Sequence, residues 1–285
     1  MGHTYHVNAL SVQKHFLASG GGDTKSIVWD MMSGKEVFIA EHDSWVGSVI
    51  LTEKHLVTST GKGQISIWDY NNGIKTSSVI AHDGAIRTIS LVNNQEILFS
   101  GGRDAKVKML TFPDLNIIDE FEYHSGEVRR IAVDASGTEV FSGDSKGGVF
   151  ILNVRSRSVR NLFKLEGQMI RSIAFSERFN LLGVTTSTGE VVMWDVENEI
   201  IKWRAQGHNG HSVGVAFHPA KEVVATSGQD KTIRLWNLNN GALIDSVVGH
   251  EGTVTSVVFS HDGKWLIAAS RDETISIWRV FDLQK

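Results

Sequence analysis

Short stretches of alternating apolar and polar residues recur along the chain from one end to the other. Near the carboxyl end, TVTSVVF and TISIW alternate with a period of two, which is typical of half-buried strands, while WLIAAS is a more fully apolar strand. Turn residues separate these segments, as in His261-Asp262-Gly263 and Arg271-Asp272-Glu273. The pattern predicts an all-β chain of short strands.

The strand pattern itself repeats with a nearly fixed period. Three copies begin with Gly-His, at Gly2, Gly207 and Gly249. The residue that ends each unit recurs after 39 residues and then every 42, at Trp29, Trp68, Leu110, Leu152, Trp194, Trp236 and Trp278. A unit of this length holds four short strands, which make one propeller blade, and a blade buries both of its faces only between neighbours. The sequence therefore predicts seven blades around one axis.

The Gly-His opening, the Ser-x-x-x-Asp turn and the closing Trp-Asp pair resemble the WD40 repeat family. Literal Trp-Asp pairs stand at Trp29-Asp30, Trp68-Asp69 and Trp194-Asp195. The resemblance extends over residues 2 to 280 and implies a single domain, 1–285, with the fold of a seven-bladed WD40 β-propeller made of four-stranded antiparallel blades. It implies little about function, because one fold serves many unrelated tasks.

A set of His, Ser or Thr, Asp and Trp residues recurs from blade to blade. The family resemblance implies that each set is a buried hydrogen-bond chain within its blade, as for His208, Thr226, Asp230 and Trp236 and for His3, Ser19, Asp23 and Trp29. Such chains satisfy polar groups that are costly to bury unpaired. A single hydrolytic site would not need them in every blade, so we expect a non-catalytic protein.

Other blades depart from this set. The third has Leu110 in place of the Trp, and the seventh has Ala268 in place of the hydroxyl residue. The fifth has Glu166 and Thr188 at the His and Asp positions, so we expect packing rather than a polar chain to hold that blade together.

Composition narrows the classes of function. The net charge of −4 gives no overall preference for nucleic acid or membranes, and there is no cysteine for a disulfide or thiolate metal site. No His spacing matches HExxH, and no phosphate-binding loop or dinucleotide fingerprint occurs, so we expect no metal or cofactor. Because no apolar run approaches about 18 residues and no signal-peptide pattern opens the chain, we expect a soluble, cytoplasmic protein.

The family resemblance places one residue of each innermost strand at the mouth of the central channel, on the face that carries the Gly-His loops. The position is taken one residue after the first inward Val or Ile, which gives Asn8, Gly47, Arg87, Arg129, Arg171, Gly214 and Thr255. Three consecutive blades therefore present arginine to the channel mouth. Neighbouring turns of the same face add cations and one aromatic residue, namely Arg103, Arg271, Lys62, Lys146 and Trp45.

This cluster predicts a docking site for an acidic or phosphorylated peptide, because guanidinium groups suit carboxylate and phosphate alike. The alternative is a solvated face on which Asp83, Glu127 and Glu251 pair with some of the cations. Two other functions stay open: a structural subunit that packs by its blade sides or strand edge, and nucleic-acid binding by the basic face. The near-neutral sequence pI of 6.3 disfavours nucleic acid as the partner.

The seventh unit lacks a segment for its outermost strand. Only Met1 precedes the first Gly-His, and only Arg279 to Lys285 follow the last Trp. We therefore expect a three-stranded seventh blade with an open edge. Either the propeller is part of a longer protein, or a partner donates the strand.

Overall fold

The computed structural model describes residues 2–92 and 96–280, in which the regular structure consists of 27 β-strands. The strands of the first four blades are, for blade 1, β1 (Val7–Gln13), β2 (Phe16–Gly21), β3 (Lys25–Asp30) and β4 (Lys35–Glu41); for blade 2, β5 (Val46–Leu51), β6 (His55–Thr60), β7 (Gln64–Asp69) and β8 (Ile74–Ile80); for blade 3, β9 (Ile86–Val92), β10 (Ile97–Gly102), β11 (Val107–Thr111) and β12 (Ile117–Phe121); and for blade 4, β13 (Val128–Val133), β14 (Glu139–Asp144), β15 (Gly148–Asn153) and β16 (Ser158–Lys164).

The last three blades follow the same order. Their strands are, for blade 5, β17 (Ile170–Ser176), β18 (Leu181–Thr186), β19 (Glu190–Asp195) and β20 (Ile200–Gln206); for blade 6, β21 (Ser212–Phe217), β22 (Val223–Gly228), β23 (Thr232–Asn237) and β24 (Leu243–Val248); and for blade 7, β25 (Val254–Phe259), β26 (Trp265–Ser270) and β27 (Ile275–Arg279). No described element is a helix long and apolar enough to cross a membrane.

Each blade is an antiparallel sheet whose strands pair in chain order, and the sheets form a seven-bladed propeller. Six sheets have four strands and the seventh has three, which confirms both the predicted architecture and the predicted gap in the last blade. Residues 281–285, part of the segment that follows the last Trp, lie outside the described residues.

The hydrophobic core lies between neighbouring blades. Ala18 and Val28 of blade 1 pack with Val46 and Val49 of blade 2, and similar clusters join the later blades. The ring is closed by Val7, Leu10 and Val12 of blade 1, which pack against Ile267 and Ala269 of blade 7. Because each face of a sheet is buried only by its neighbour, the inner strands are fixed relative to the channel.

Candidate functional site

A β-bulge at the same place in all seven inner strands positions the channel-mouth residues. In blade 4, for example, Val128 pairs with Asp144 and Arg130 with Gly143, so that Arg129 has no partner residue. A bulge leaves one residue unpaired and turns its side chain out of the regular alternation. The register shift is centred on Asn8, Gly47, Arg87, Arg129, Arg171, Val213 and Thr255.

The predicted position is wrong in blade 6, where Val213 rather than Gly214 occupies the bulge. Ser212 takes the paired place that Val or Ile holds in the other blades, and its hydroxyl donates to the carbonyl of Gly189 at 2.8 Å. Because the first apolar residue of this strand is Val213, the expected position was Gly214, one residue after the bulge. Gly214 pairs regularly with Ser227.

The bulges surround a cavity of about 460 Å³ at the channel mouth. Of the residues expected there, those that line it are Asn8, Trp45, Gly47, Arg87, Arg129, Arg171, Thr255 and Arg271. The expected side chains of Arg103, Lys62 and Lys146 are exposed and do not line this cavity. Lys62 forms an ion pair with Asp43 at 3.3 Å, and Lys146 borders a separate cavity of about 420 Å³.

One carboxylate neutralises part of the arginine cluster. Glu127 forms ion pairs with Arg87 and with Arg129, the latter at 3.2 Å. The guanidinium of Arg87 also lies over the ring of Trp45, 4.8 Å from its centroid. Burial alone would raise the pKa of Glu127, but the hydrogen bonds and charges of the two arginines hold it below its usual value. Arg87 is therefore engaged on both sides.

Arg130 is a fifth arginine of this site, which sequence reasoning missed. Its Nη1 donates to the carbonyl of Arg87 at 2.8 Å and to that of Arg129 at 3.2 Å. The equivalent place after the bulge holds a small residue in every other blade, namely Ala9, Ser48, Thr88, Ser172, Gly214 and Ser256. The Arg-Arg pair in EVRRI could have indicated this residue, because no other blade has a long side chain at the position after the bulge.

Arg171 forms no ion pair with a carboxylate among the described residues, although the charge of Glu127 acts on it. Its Nε is buried and has no hydrogen-bond partner within residues 2–92 and 96–280. Burial, together with Arg129, Arg271 and Arg87, lowers the pKa of Arg171 to about 10. The pKa of Arg130 falls to about 9, through burial and then through Arg129, Arg171 and Arg87. All these groups stay charged at neutral pH, so the cavity concentrates positive charge in a half-buried space.

Two other channel-mouth residues, Asn8 and Thr255, form hydrogen bonds to backbone carbonyls of the blades. Asn8 donates from Nδ2 to the carbonyl of Val46 in the next blade at 2.9 Å. The hydroxyl of Thr255 contacts the carbonyls of Val7 and Ala269, and so joins blade 7 to blade 1. Their hydrogen bonds tie neighbouring blades together.

The recurrent polar chains are present in the blades for which the resemblance implied them. In blade 6, His208 bonds Asp230 at 2.8 Å and Thr226 at 2.9 Å, and Trp236 donates to the same hydroxyl at 2.8 Å. Blade 1 repeats this geometry with His3, Ser19, Asp23 and Trp29. Burial lowers the pKa of His208 despite the opposing charge of Asp230, which favours the neutral ring.

Blades 4 and 7 contain modified forms of the chain. In blade 4 the Asp has moved two residues closer to the Ser, and Asp144 still reaches His124 at 3.1 Å. In blade 7, His250 bonds Asp272 at 3.0 Å, but its buried Nε2 has no described partner, because Ala268 replaces the hydroxyl residue.

Blade 5 replaces the chain with other contacts. The hydroxyl of Thr188 donates to Gln168 at 2.6 Å and lies 3.1 Å from that of Thr186. Trp194 packs on Phe163, with 4.9 Å between ring centroids, and its indole nitrogen has no described partner. Packing and a separate polar cluster thus coexist in this blade.

No group of three or more His, Asp or Glu side chains within the described part of the chain has the arrangement of a metal site.

Comparison with known proteins agrees with the blade structure. A family model for the WD domain, G-beta repeat, matches residues 73–109, 202–237 and 241–279. Similar curated proteins include an F-box/WD-40 repeat-containing protein of Arabidopsis thaliana, 28% identical over 109 residues, which are 38% of this chain and 20% of that protein.

Two further relatives carry shorter matches. The DENN domain and WD repeat-containing protein SCD1 of Arabidopsis thaliana is 24% identical over 32% of this chain and 8% of its own length. The pre-mRNA-splicing factor PRP46 of Candida albicans is 26% identical over 30% of this chain and 22% of its own length. The matches thus span less than a quarter of each relative. The chain is thus similar to WD-repeat proteins in three matched segments, and its seven blades are built on one pattern.

Proposed function

We propose that this propeller is a non-catalytic docking platform whose channel mouth binds an acidic or phosphorylated peptide segment of a partner protein. The observation that carries the proposal is the convergence of Arg87, Arg129, Arg130, Arg171 and Arg271 on one cavity. Glu127 is the one carboxylate that forms ion pairs with these arginines within the described residues.

Two parts of the channel mouth differ in what they offer a ligand. Arg87 and Arg129 already share Glu127, and Arg87 also contacts Trp45. Within residues 2–92 and 96–280, neither Arg171 nor Arg271 forms an ion pair with a carboxylate, and the buried Nε of Arg171 is a donor without a partner. We therefore expect the anionic group of the ligand to lie nearest to Arg171.

Electrostatics supports an anionic ligand. The depressed pKa of Arg171 has two sources, burial and the neighbouring guanidinium groups. An anion in the cavity would relieve the repulsion among these groups, and a charge-assisted hydrogen bond contributes about 1.5–3 kcal/mol. A half-buried site also screens less than an open surface, so each bond gains strength.

The polar chains support binding rather than catalysis. In blades 1, 3, 4 and 6 a His bonds both an Asp and a Ser or Thr, but the histidines and hydroxyls that would form a hydrolytic site are used within the sheets. None of them lines the cavity at the channel mouth. A protein partner held at the mouth is therefore the better supported function.

The test is the binding of fluorescent peptides that differ only at one residue, which is phosphoserine, glutamate or serine. Wild-type protein is compared with Arg171→Ala and with Arg155→Ala, which removes the same charge from an exposed turn away from the mouth. Titrations are made at about 0.05 M and about 0.3 M salt. The higher concentration shortens the electrostatic screening length roughly twofold.

We expect Arg171→Ala to weaken binding of the charged peptides about ten- to a hundredfold, as the loss of one such bond requires. Arg155→Ala should have no effect, and added salt should weaken binding to the wild type. If all three peptides bind alike, or if both variants behave as the wild type does, the anionic docking site is refuted.

A further inference from the structure

The open edge of the seventh blade has features that specify what would cover it. In the other blades a fourth strand lies against the third, whereas no described strand pairs with β27. Ile277 is therefore 41% exposed, while the equivalent residues Ile67 and Leu235 are 0% and 1% exposed. Cavities of about 240 and 530 Å³ flank Ile277, and their walls include Trp29, Met31 and Trp265.

The backbone of β27 is oriented to accept another strand. The N–H of Val280 bonds the carbonyl of Lys264 at 2.9 Å, and the carbonyl of Thr274 accepts from Ser270 at 3.1 Å. Peptide groups alternate in direction along a strand, so those of Ile275 and Ile277 face the open side. An antiparallel segment would find these groups unpaired.

The six complete blades supply a template for the missing strand. In each of them an apolar residue of the fourth strand pairs with the residue of the third strand that corresponds to Ile275. These residues are Ala40, Val79, Phe121, Phe163, Ala205 and Val247. They lie on the side of the blade that packs against the next one. A covering strand thus needs an apolar residue opposite Ile275.

In blades 1, 4 and 5 an aromatic residue of the fourth strand contacts the tryptophan of the following blade; in blade 4 this residue is Phe163, opposite the third strand and 4.9 Å from Trp194. Phe38 lies 6.0 Å from Trp68, and Trp203 lies 6.4 Å from Trp236, measured between ring centroids. In both cases an alanine follows two residues later and takes the place opposite the third strand. Trp29, in blade 1, receives no aromatic residue from a preceding outer strand among the described residues, and it lines the smaller cavity.

We propose that β27 is an acceptor edge for an extended segment of another polypeptide, which adds as the fourth, antiparallel strand of blade 7. The segment carries an aromatic residue over Trp29 and, two residues later, a small apolar residue opposite Ile275. Backbone hydrogen bonds to Ile275 and Ile277 supply affinity, and the two side-chain positions supply specificity. This surface lies at the rim of blade 7 and does not depend on the proposed docking of anions at the channel mouth.

The probe is a synthetic peptide with the sequence of residues 199–206, EIIKWRAQ, because this outer strand contains the required aromatic-x-alanine spacing. The control peptide replaces the residues equivalent to Trp203 and Ala205 with serine and aspartate. Amide hydrogen exchange of the intact chain is followed at Ile275 and Ile277, with and without each peptide.

We expect the first peptide to slow exchange at both amides about tenfold or more, which corresponds to about 1.4 kcal/mol or more of protection, and the control to leave it unchanged. Ile277→Asp should abolish the protection. Leu243→Asp, on the exposed outer strand of blade 6, should retain it.

Three results would overturn the proposal. Equal protection by both peptides would mean that the side-chain template is wrong. Slow exchange at Ile275 and Ile277 without peptide, at a protein concentration where the chain is monomeric, would mean that the chain covers its own edge. Protection that rises with protein concentration, together with a doubled mass in solution, would make a second copy the occupant.

Discussion

The seventh blade offers a direct test of what the recurrent hydroxyl contributes to stability. Ala268 is fully buried at the position where blades 1, 3 and 4 have a serine and blades 2 and 6 a threonine. Next to it, the Nε2 of His250 is buried without a described partner. Ala268→Ser adds one oxygen atom, which the same site accommodates in three other blades.

The expected gain follows from the bonds seen elsewhere. In blade 1 the Ser19 hydroxyl is 2.8 Å from His3 and 2.8 Å from Trp29. The new hydroxyl would form the equivalent bonds with His250 and Trp278. At about 1 kcal/mol for each bond, the free energy of unfolding should rise by about 1–2 kcal/mol. For a chain of this size, that corresponds to about 2–8 °C in Tm.

The measurement is urea denaturation and thermal unfolding of three variants beside the wild type. Ala268→Val adds volume without a hydroxyl and should destabilise the protein by about 1–3 kcal/mol through overpacking. Ser19→Ala recreates the seventh-blade arrangement in blade 1 and should lower stability by about 1–3 kcal/mol, because it leaves buried donors unpaired. If Ala268→Ser is no more stable than the wild type while Ser19→Ala costs nothing, the hydroxyl does not hold the blade together.

Two further predictions concern charged groups. Burial, and then the charge of Lys75, lower the pKa of His42 from 6.5 to about 4. As the pH falls from about 6.5 to about 4, His42 is therefore protonated in the unfolded chain before it is protonated in the folded one. Up to about 3 kcal/mol of the free energy of unfolding is lost over this range. His42→Gln should reduce that pH dependence by one proton in urea midpoints measured across this range, and an unchanged slope would contradict the assignment. Glu127→Gln frees Arg87 and Arg129 from their shared carboxylate, so anionic peptides should bind severalfold more tightly in anisotropy titrations, as about 1 kcal/mol implies. The exposed Glu53→Gln serves as its control, and equal affinities would place the peptide away from these two arginines.

The fold was predictable because one unit is repeated seven times. The 42-residue spacing of the closing Trp or Leu fixes the number of blades, and the family resemblance implied which strands are the inner ones. Most channel-mouth positions followed from the same spacing. The channel-mouth residue of blade 6 was predicted wrongly, because Ser212 stands where the other blades have Val or Ile. Counting from the first apolar residue, Val213, gave Gly214 instead of Val213.

The repeat does not predict the side-chain contacts between blades. The pairing of Glu127 with both Arg87 and Arg129 joins residues of different blades, and no periodicity records it. The sequence does not distinguish Glu127 from Asp83 and Glu251, which lie in loops of the same face; the structure does. The orientation of the Arg130 side chain depends on hydrogen bonds to the backbone carbonyls of Arg87 and Arg129. These bonds cannot be predicted from the sequence. In blade 4, the Asp144 carboxylate replaces a more distant one because the turn brings either position to the same histidine.

The seven bulges place one side chain of each inner strand at the channel mouth, outside the strand pairing. A bulged residue takes no part in the pairing of its strand, so its side chain can be exchanged with little disturbance to the sheet. Asn8 and Thr255 bond neighbouring blades, and a Cβ at Gly47 would lie 2.3 Å from the carbonyl oxygen of Ile86, so the exchangeable positions are the three arginines and Val213. A duplicated gene could alter its target by single substitutions at these places, while selection on folding acts elsewhere. New binding specificities would then be reachable in evolution without passing through unstable intermediates.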